Sequence, residues 1–247
     1  MSLKDKVAIV TGATRGIGKE ILIDLAEKGV KVVGIYARSE AAANELQKDL
    51  SSNGYEVEFF KGKVDDVKFA NTVIRKVLDK YNKIDILINN AGINRDNLIF
   101  NMPQEDWNAV FKTNFNGTYN FCNEVIPHML EQRSGNIINM ISVTAVNGRE
   151  AQSNYGCSKG AIIGLTKMLS RIYSPKGIRI NTVAPGMIET DMIEHVPDQK
   201  MENFLHHTNV KSLGQAKQVA DIVSFLANEE NSYFTNTVFK LDGGFLR

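Results

Sequence analysis

Cysteine is scarce in this chain: Cys122 and Cys157 are the only two. Two thiols are too few for a disulfide scaffold or a cysteine-rich metal site, and they fit a reducing cytoplasm. No Pro- or Ser-rich linker, repeat or low-complexity tract divides the sequence. Its 247 residues therefore read as one domain, 1–247, long enough to bury a sizeable core. An excess of one charge is also missing. Lys and Arg number 29 against 28 Asp and Glu, so a net charge of +1 does not point to a nucleic-acid partner. No run of about 18 apolar residues is present, and no membrane span is expected. The opening MSLKDK leads directly into a strand-like run, which leaves no room for a signal peptide. His128, His195, His206 and His207 lack metal-ligand spacing, so no metal is expected; the His206–His207 pair reads as solvated surface.

What the sequence does have is alternation. Runs rich in β-branched residues at 7–11, 31–36, 56–64, 84–89, 136–141, 179–183 and 237–241 are nearly continuously apolar, as strands covered on both faces must be. Helix-length segments lie between them. At 16–28, Ile17, Ile21 and Leu25 recur every four residues and Gly29 follows as a stop; 41–50 and 216–226 read similarly. Strand–helix alternation predicts right-handed crossovers and an α/β fold with a doubly wound parallel sheet. In such sheets ligands bind beyond the carboxyl ends of the strands, so the residues just after each strand are the ones to inspect.

After the first strand comes Thr11-Gly12-Ala13-Thr14-Arg15-Gly16-Ile17-Gly18, opening into a helix. Gly12 permits a tight turn, Gly16 lets the backbone approach a pyrophosphate, and Gly18 lets the helix pack on the sheet. The free N–H groups at the helix start then face the phosphates. The alternative is a glycine-rich turn without a ligand. The second strand ends in Tyr36-Ala37-Arg38-Ser39, with no acidic residue to hold a ribose 2′-OH. Arg15, Arg38 and Ser39 suit a 2′-phosphate instead, so NADP(H) is expected over NAD(H); an Arg38 that is merely solvated is the other reading.

Tyr155 and Lys159 stand four residues apart, one turn apart on one helix face. A free phenol titrates near ~10, and a neighbouring ammonium is expected to lower that value towards the working range of a proton donor. Ser142, thirteen residues before Tyr155, ends a strand and could hold a substrate carbonyl beside it; alone it reads equally as a turn residue. In Asn89-Asn90-Ala91-Gly92 a side-chain amide can tie strand ends together, while Ala91 and Gly92 leave room for a cofactor. Asn114 lies in a helix-like stretch and is unremarkable by itself. Pro185-Gly186-Met187-Ile188-Glu189-Thr190-Asp191 could close over a nicotinamide or be an ordinary Pro-Gly turn.

Taken together, TGATRGIG, NNAG, Asn114, Ser142, YGCSK and PGMIETDM stand in the order and spacing of the short-chain dehydrogenases/reductases, and the chain resembles that family over essentially its whole length. The resemblance implies a seven-stranded Rossmann fold and a catalytic tetrad of Asn114, Ser142, Tyr155 and Lys159. In it Tyr is the acid in reduction, Ser polarises the carbonyl, Lys also holds the nicotinamide ribose, and Asn carries a relay water. It further implies a cofactor set that includes Gly12, Thr14, Arg15, Gly16, Ile17, Gly18, Arg38, Ser39, Lys63, Val64, Asn90, Ala91, Gly92, Pro185, Gly186, Ile188 and Thr190. Family members carry Asp or Asn where Lys63 stands, so the adenine contact is expected to be lost or reshaped. Phe234-Thr235-Asn236 likewise replaces the usual Ile-Thr-Gly.

Within the family, NNAGINRDNL, MPQEDWNAVFKTN, APGMIETDM and LDGGF are most similar to the 3-oxoacyl-[acyl-carrier-protein] reductases of fatty-acid synthesis. That similarity implies NADPH-dependent reduction of a 3-oxoacyl thioester, a cytoplasmic homotetramer built on helices around 103–133 and 153–175, and docking of an acidic acyl carrier protein on Arg133 and Lys176 at the active-site mouth. Reduction of acetoacetyl-CoA, a steroid or sugar-alcohol dehydrogenase, and a nucleotide-sensing module are the alternatives. A filled tetrad speaks against the last. The segment 193–208 reads as a mobile substrate lid or as a surface helix.

Overall fold

The computed structural model describes residues 3–191, 193 and 196–245. Its elements run β1 (Val7–Thr11), α1 (Gly16–Glu27), β2 (Lys31–Tyr36), α2 (Glu40–Ser52), β3 (Val57–Lys61), α3 (Val67–Tyr81), β4 (Ile86–Asn89) and α4 (Gln104–Phe111). Then follow α5 (Gly117–Gln132), β5 (Gly135–Met140), the short α6 (Thr144–Asn147), α7 (Ser153–Tyr173), β6 (Ile178–Pro185) and β7 (Ile188–Glu189). α8 (Asp198–His206), β8 (Gly214–Gln215), α9 (Ala216–Ala227) and β9 (Val238–Leu241) complete the chain. Seven strands form one parallel sheet in the order β3-β2-β1-β4-β5-β6-β9, and β7 pairs with β8 beside it.

The continuous apolar runs have the expected cause. All five residues of β1 are buried. Ala8 and Val10 pack with Ile21, Leu22 and Leu25 of α1 and Val219 and Val223 of α9. Val7 and Ile9 face the other way, towards Val73, Ile74 and Val77 of α3 and Phe121 and Val125 of α5. Two apolar layers, one on each sheet face, hold the strands so that their carboxyl ends line up along one edge. Gly29 ends the first helix with φ at +79°, as its stop position predicts.

The third strand is shorter than the 56–64 read from sequence. It ends at Lys61, and the chain then bends so that the Val64 carbonyl accepts from the buried Asn120 side chain (3.1 Å) instead of a strand partner.

One interior charge holds the first and last helices together. Asp24 of α1 is buried and is bridged by Lys28, by Lys217 of α9 (3.1 Å) and by the Ser224 hydroxyl. Burial pushes its carboxyl up, but Lys28, Ser224 and Lys217 outweigh burial and hold it below the ordinary range. A depressed carboxyl stabilises the fold above the unfolded value near ~3.9 and loses that contribution as pH falls through the folded value. Asp24→Asn should therefore cost roughly 1–3 kcal/mol at neutral pH and flatten the acid limb of a Tm-versus-pH curve below about pH 4. A variant with an unchanged acid limb would show that the network contributes nothing.

Candidate active site

The glycine loop leaves β1 through two hydrogen bonds, Gly12 N–H and Ala13 N–H to the Ile35 carbonyl (2.8 and 3.1 Å). Gly12 and Gly16 have φ of +68° and +51°, the left-handed region that favours glycine. α1 starts at Gly16 with neither a side-chain cap nor an acidic residue in its first turn, so its leading N–H groups are open to an anion. Asn90 braces the loop. Its Nδ2 donates to the Thr11 and Gly12 carbonyls (3.0 and 3.1 Å), while Thr11 Oγ1 accepts from the N–H groups of Asn90 and Ala91. Asn89 Nδ2 donates to Asn139 Oδ1 (2.8 Å), tying β4 to β5 as the paired amides suggest. Thr190 lies against Gly16: a Cβ added there would sit 3.4 Å from its side chain. The segment after β6 thus forms the opposite wall of the groove, with Ile188 buried behind it.

At the carboxyl ends of β1, β2 and β3, Arg15, Arg38, Ser39 and Lys63 are exposed. Thr14 and Val64 are buried. The acids nearby are engaged: Glu40 pairs with Lys61, Asp65 with Lys112 (3.8 Å), and Asp66 caps α3. Arg15, Arg38 and Lys63 have no ion-pair partner among the described residues. The result is a cationic rim suited to an anion.

Asn114, Ser142, Tyr155 and Lys159 come from three segments. Asn114 sits inside a π-helical turn, Lys112–Asn116, between α4 and α5. Such a turn carries one extra residue and is frequent at functional sites. Thr118 Oγ1 donates to the Asn114 carbonyl at 2.8 Å. The Asn114 side chain accepts from Ile93 N–H (2.8 Å) and donates to the Ile93 carbonyl (3.0 Å) and Ser158 Oγ (3.1 Å). Gly92 lies beside it, and a Cβ there would fall 3.3 Å from Asn114 Oδ1 and 3.4 Å from Lys159 Nζ. Gly92 thereby keeps open the space that these two side chains border.

Lys159 and Tyr155 do share one face of α7. Lys159 Nζ lies 5.9 Å from the centre of the Tyr155 ring and donates to the Met140 carbonyl at 2.7 Å. The expected lowering of the phenol is not what the protein alone produces. Burial pushes Tyr155 up to about 12, with the Ser142 hydroxyl opposing and the Asp96 carboxylate adding to the rise. Burial also pushes the Lys159 ammonium down to about 8. The two groups are desolvated together, and removal from water disfavours each charged form.

Arg133 and Lys176 are brought close to each other but not to this chain's own active-site mouth. A Cβ on Gly177 would touch the Arg133 carbonyl at 2.3 Å. Arg133 precedes β5 and Lys176 precedes β6, at the amino ends of the strands. Ser142 lies past the other end of β5, roughly 20 Å away at strand rise. The resemblance puts them at the mouth by lining them up with the family's two carrier-docking positions; the direction of β5 and β6 carries the pair to the far edge within one chain.

In the segment read as a lid, 193–208, Glu194 and His195 lie outside the described residues. Beyond them α8 is a surface helix with no buried residue. Its Phe204 ring stacks on Phe245 at 4.7 Å. Sequence reasoning missed the side chains around the tetrad: Thr118, Ser158, Asp96, Gln152 and Thr144. For Asp96 a signal was present in the Arg95-Asp96-Asn97 triplet.

Among the described residues no three His, Cys, Asp or Glu side chains converge to hold a metal ion, and no helix is long and apolar enough to cross a membrane.

A glycine loop opening α1, a Tyr-x-x-x-Lys helix and a strand-end serine in one groove invite comparison with known proteins. Residues 6–201 match the short chain dehydrogenase family. The chain belongs to that family. Short-chain dehydrogenases are oxidoreductases that use a nicotinamide cofactor, and the cradle formed by α1, Gly16 and Gly92 fits one. This short-chain dehydrogenase is 39% identical to the 3-oxoacyl-[acyl-carrier-protein] reductase FabG of Thermotoga maritima, over 99% of both chains. It is 38% identical to the Staphylococcus aureus protein of that name over 97% of both, and 38% identical to that of Vibrio cholerae over 99% of this chain and 98% of the other.

Proposed function

We propose that this enzyme reduces a 3-oxoacyl thioester, carried on acyl carrier protein, to the 3-hydroxyacyl thioester in fatty-acid synthesis, using NADPH. The observation that carries the reading is near-full-length similarity to 3-oxoacyl-[acyl-carrier-protein] reductases in a chain that keeps all four tetrad side chains. Bound NADPH supplies the hydride to the C3 carbon. Tyr155 gives its phenolic proton to the developing alkoxide. Burial keeps the phenol protonated, the form from which a donor must start. Ser142 donates a hydrogen bond to the same oxygen, where it counts most as charge develops. Lys159 binds the nicotinamide ribose and, with Asn114, passes a proton back to Tyr155. Arg15 and Arg38 grip the 2′-phosphate through charge-assisted hydrogen bonds, helped by Ser39; the absence of an acid at the end of β2 supports this over an NADH site.

The reading includes a cytoplasmic homotetramer. Met168 and Ile172 stand exposed on α7, and Gly160 and Gly164 have open space before them, as a helix face awaiting a second copy would. In such an assembly Arg133 and Lys176 of one copy serve the mouth of another. Their distance from Tyr155 in one chain is also the observation that favours the second reading, a reductase of acetoacetyl-CoA that needs no docked carrier.

One experiment separates the two. Turnover is compared on acetoacetyl-carrier protein and acetoacetyl-CoA, with NADPH and NADH, for the natural chain and for Arg133→Glu/Lys176→Glu. The carrier reading expects a KM increase of about tenfold or more on the carrier substrate alone, mimicked by added salt because exposed charges are screened over roughly 8–10 Å. No change on either substrate gives the second reading. A preference for NADH overturns the cofactor assignment.

A further inference from the structure

The YGCSK stretch contains a hydroxyl that the chemistry above does not use. Ser158 stands between Tyr155 and Lys159 on α7 and is fully buried. Its Oγ donates to the Tyr155 carbonyl at 2.8 Å and accepts from Asn114 Nδ2 at 3.1 Å. One small side chain thus touches both the helical turn that carries Tyr155 and the amide of Asn114.

The directions of these bonds are fixed by chemistry. A carbonyl only accepts, so the single proton of Ser158 goes to Tyr155. Towards Asn114 its oxygen then only accepts, which requires the nitrogen of the amide to point at α7. Ile93, in the loop after β4, imposes the same orientation. Its carbonyl accepts from Asn114 Nδ2 at 3.0 Å, and its N–H donates to Asn114 Oδ1 at 2.8 Å. Both Nδ2 protons are thereby used. What the amide has left is one acceptor position on Oδ1.

That oxygen borders the space beside Gly92, where a Cβ would lie 3.3 Å from Asn114 Oδ1 and 3.4 Å from Lys159 Nζ. Lys159 carries three N–H donors and gives one to the Met140 carbonyl. An acceptor therefore stands across this space from a donor. With the amide reversed, two donors would face each other. Thr118 holds the main chain of Asn114 through its carbonyl. Among the described residues, the bond to Ser158 is the one that ties the amide itself to α7.

We propose that Ser158 is a positioning residue for the reduction: by accepting from Asn114 Nδ2 it holds the amide oxygen on the Lys159 side, in the orientation that return of a proton to Tyr155 requires. This rests on the reading in which Asn114 and Lys159 resupply Tyr155.

Ser158→Ala removes one oxygen from a helix interior, where alanine is favoured, so the fold should survive with Tm lowered by no more than a few degrees. Steady-state kcat on acetoacetyl thioester should fall about tenfold, while KM and the NADPH dissociation constant hold. The deciding measurement repeats the change in an Asn114→Ala background, where Ser158 has no amide to hold. There it should cost less than about twofold. A hydroxyl that only stabilises α7 would cost the same factor in both backgrounds. Equal losses in the two backgrounds, an unchanged kcat in Ser158→Ala, or a loss carried by KM or cofactor affinity overturn the proposal. Asn114→Ala measured alone tests the reading beneath it. Natural turnover in that variant removes Asn114 from the mechanism, whereas slow turnover in it beside a normal Ser158→Ala removes only the role of Ser158.

Discussion

Tyr155→Phe should leave a folded protein that binds NADPH normally and reduces its substrate at least about 10²-fold and up to about 10⁴-fold more slowly. The change removes one oxygen. The ring remains on α7, in a partly buried position next to Lys159, so packing is kept. What disappears is the phenolic proton that the proposed mechanism gives to the ketone oxygen. The cost should fall on kcat and not on KM, because the phenol acts on charge that exists only as the alkoxide forms. Single-turnover reduction of acetoacetyl thioester, followed by loss of NADPH absorbance, measures it. Near-normal turnover in the Phe variant would remove Tyr155 from the mechanism.

Gly18→Ala should be nearly as damaging by a different route. A Cβ at Gly18 would lie 2.1 Å from the Gly12 carbonyl oxygen and 2.4 Å from Asn90 Nδ2. Neither can yield cheaply. Gly12 is pinned through its N–H to Ile35 and through its carbonyl to Asn90, and Asn90 also holds the Thr11 carbonyl. The start of α1 must therefore move off the sheet, or the Asn90 brace must break. Overpacking of this kind costs about 1–3 kcal/mol in stability. The same shift displaces the helix N–H groups proposed to face the cofactor's pyrophosphate, so affinity for the proposed cofactor NADPH should drop by roughly tenfold to hundredfold. Urea unfolding and a fluorescence titration of NADPH read the two losses separately. A variant with the natural midpoint and affinity would mean that the helix and loop are not packed as described.

The main architecture was legible because its causes are local or periodic. A strand covered on both faces must be apolar throughout, and β1, with Val7 and Ile9 on one side and Ala8 and Val10 on the other, is that case. Glycine at positions 12 and 16 announces positive φ, and both have it. Tyr155 and Lys159 four residues apart must share a helix face, and they do. The overrun of the third strand came from residues whose propensity suits a strand but whose hydrogen bonds go elsewhere, as the Val64 carbonyl does in turning to Asn120.

By itself the sequence determined the strand–helix alternation, the glycine-rich loop that opens α1 and the residues offered to the groove, since each depends on neighbours within a few positions. Only the tertiary structure decided how those residues are tuned. The π-helical turn that sets Asn114 beside Gly92 and Lys159 depends on Thr118 and on a loop from another strand. The buried Gln152 side chain joins Thr144 to Asp96, a residue from a loop after a different strand. Tyr155 is driven up by burial, and not lowered by its neighbouring lysine, because dielectric environment belongs to the packed chain and to no single residue in it. Arg133 and Lys176 meet at the far edge of the sheet for a related reason: spacing along the chain sets distance along an element, but the direction of β5 and β6 sets which end of the molecule a side chain reaches.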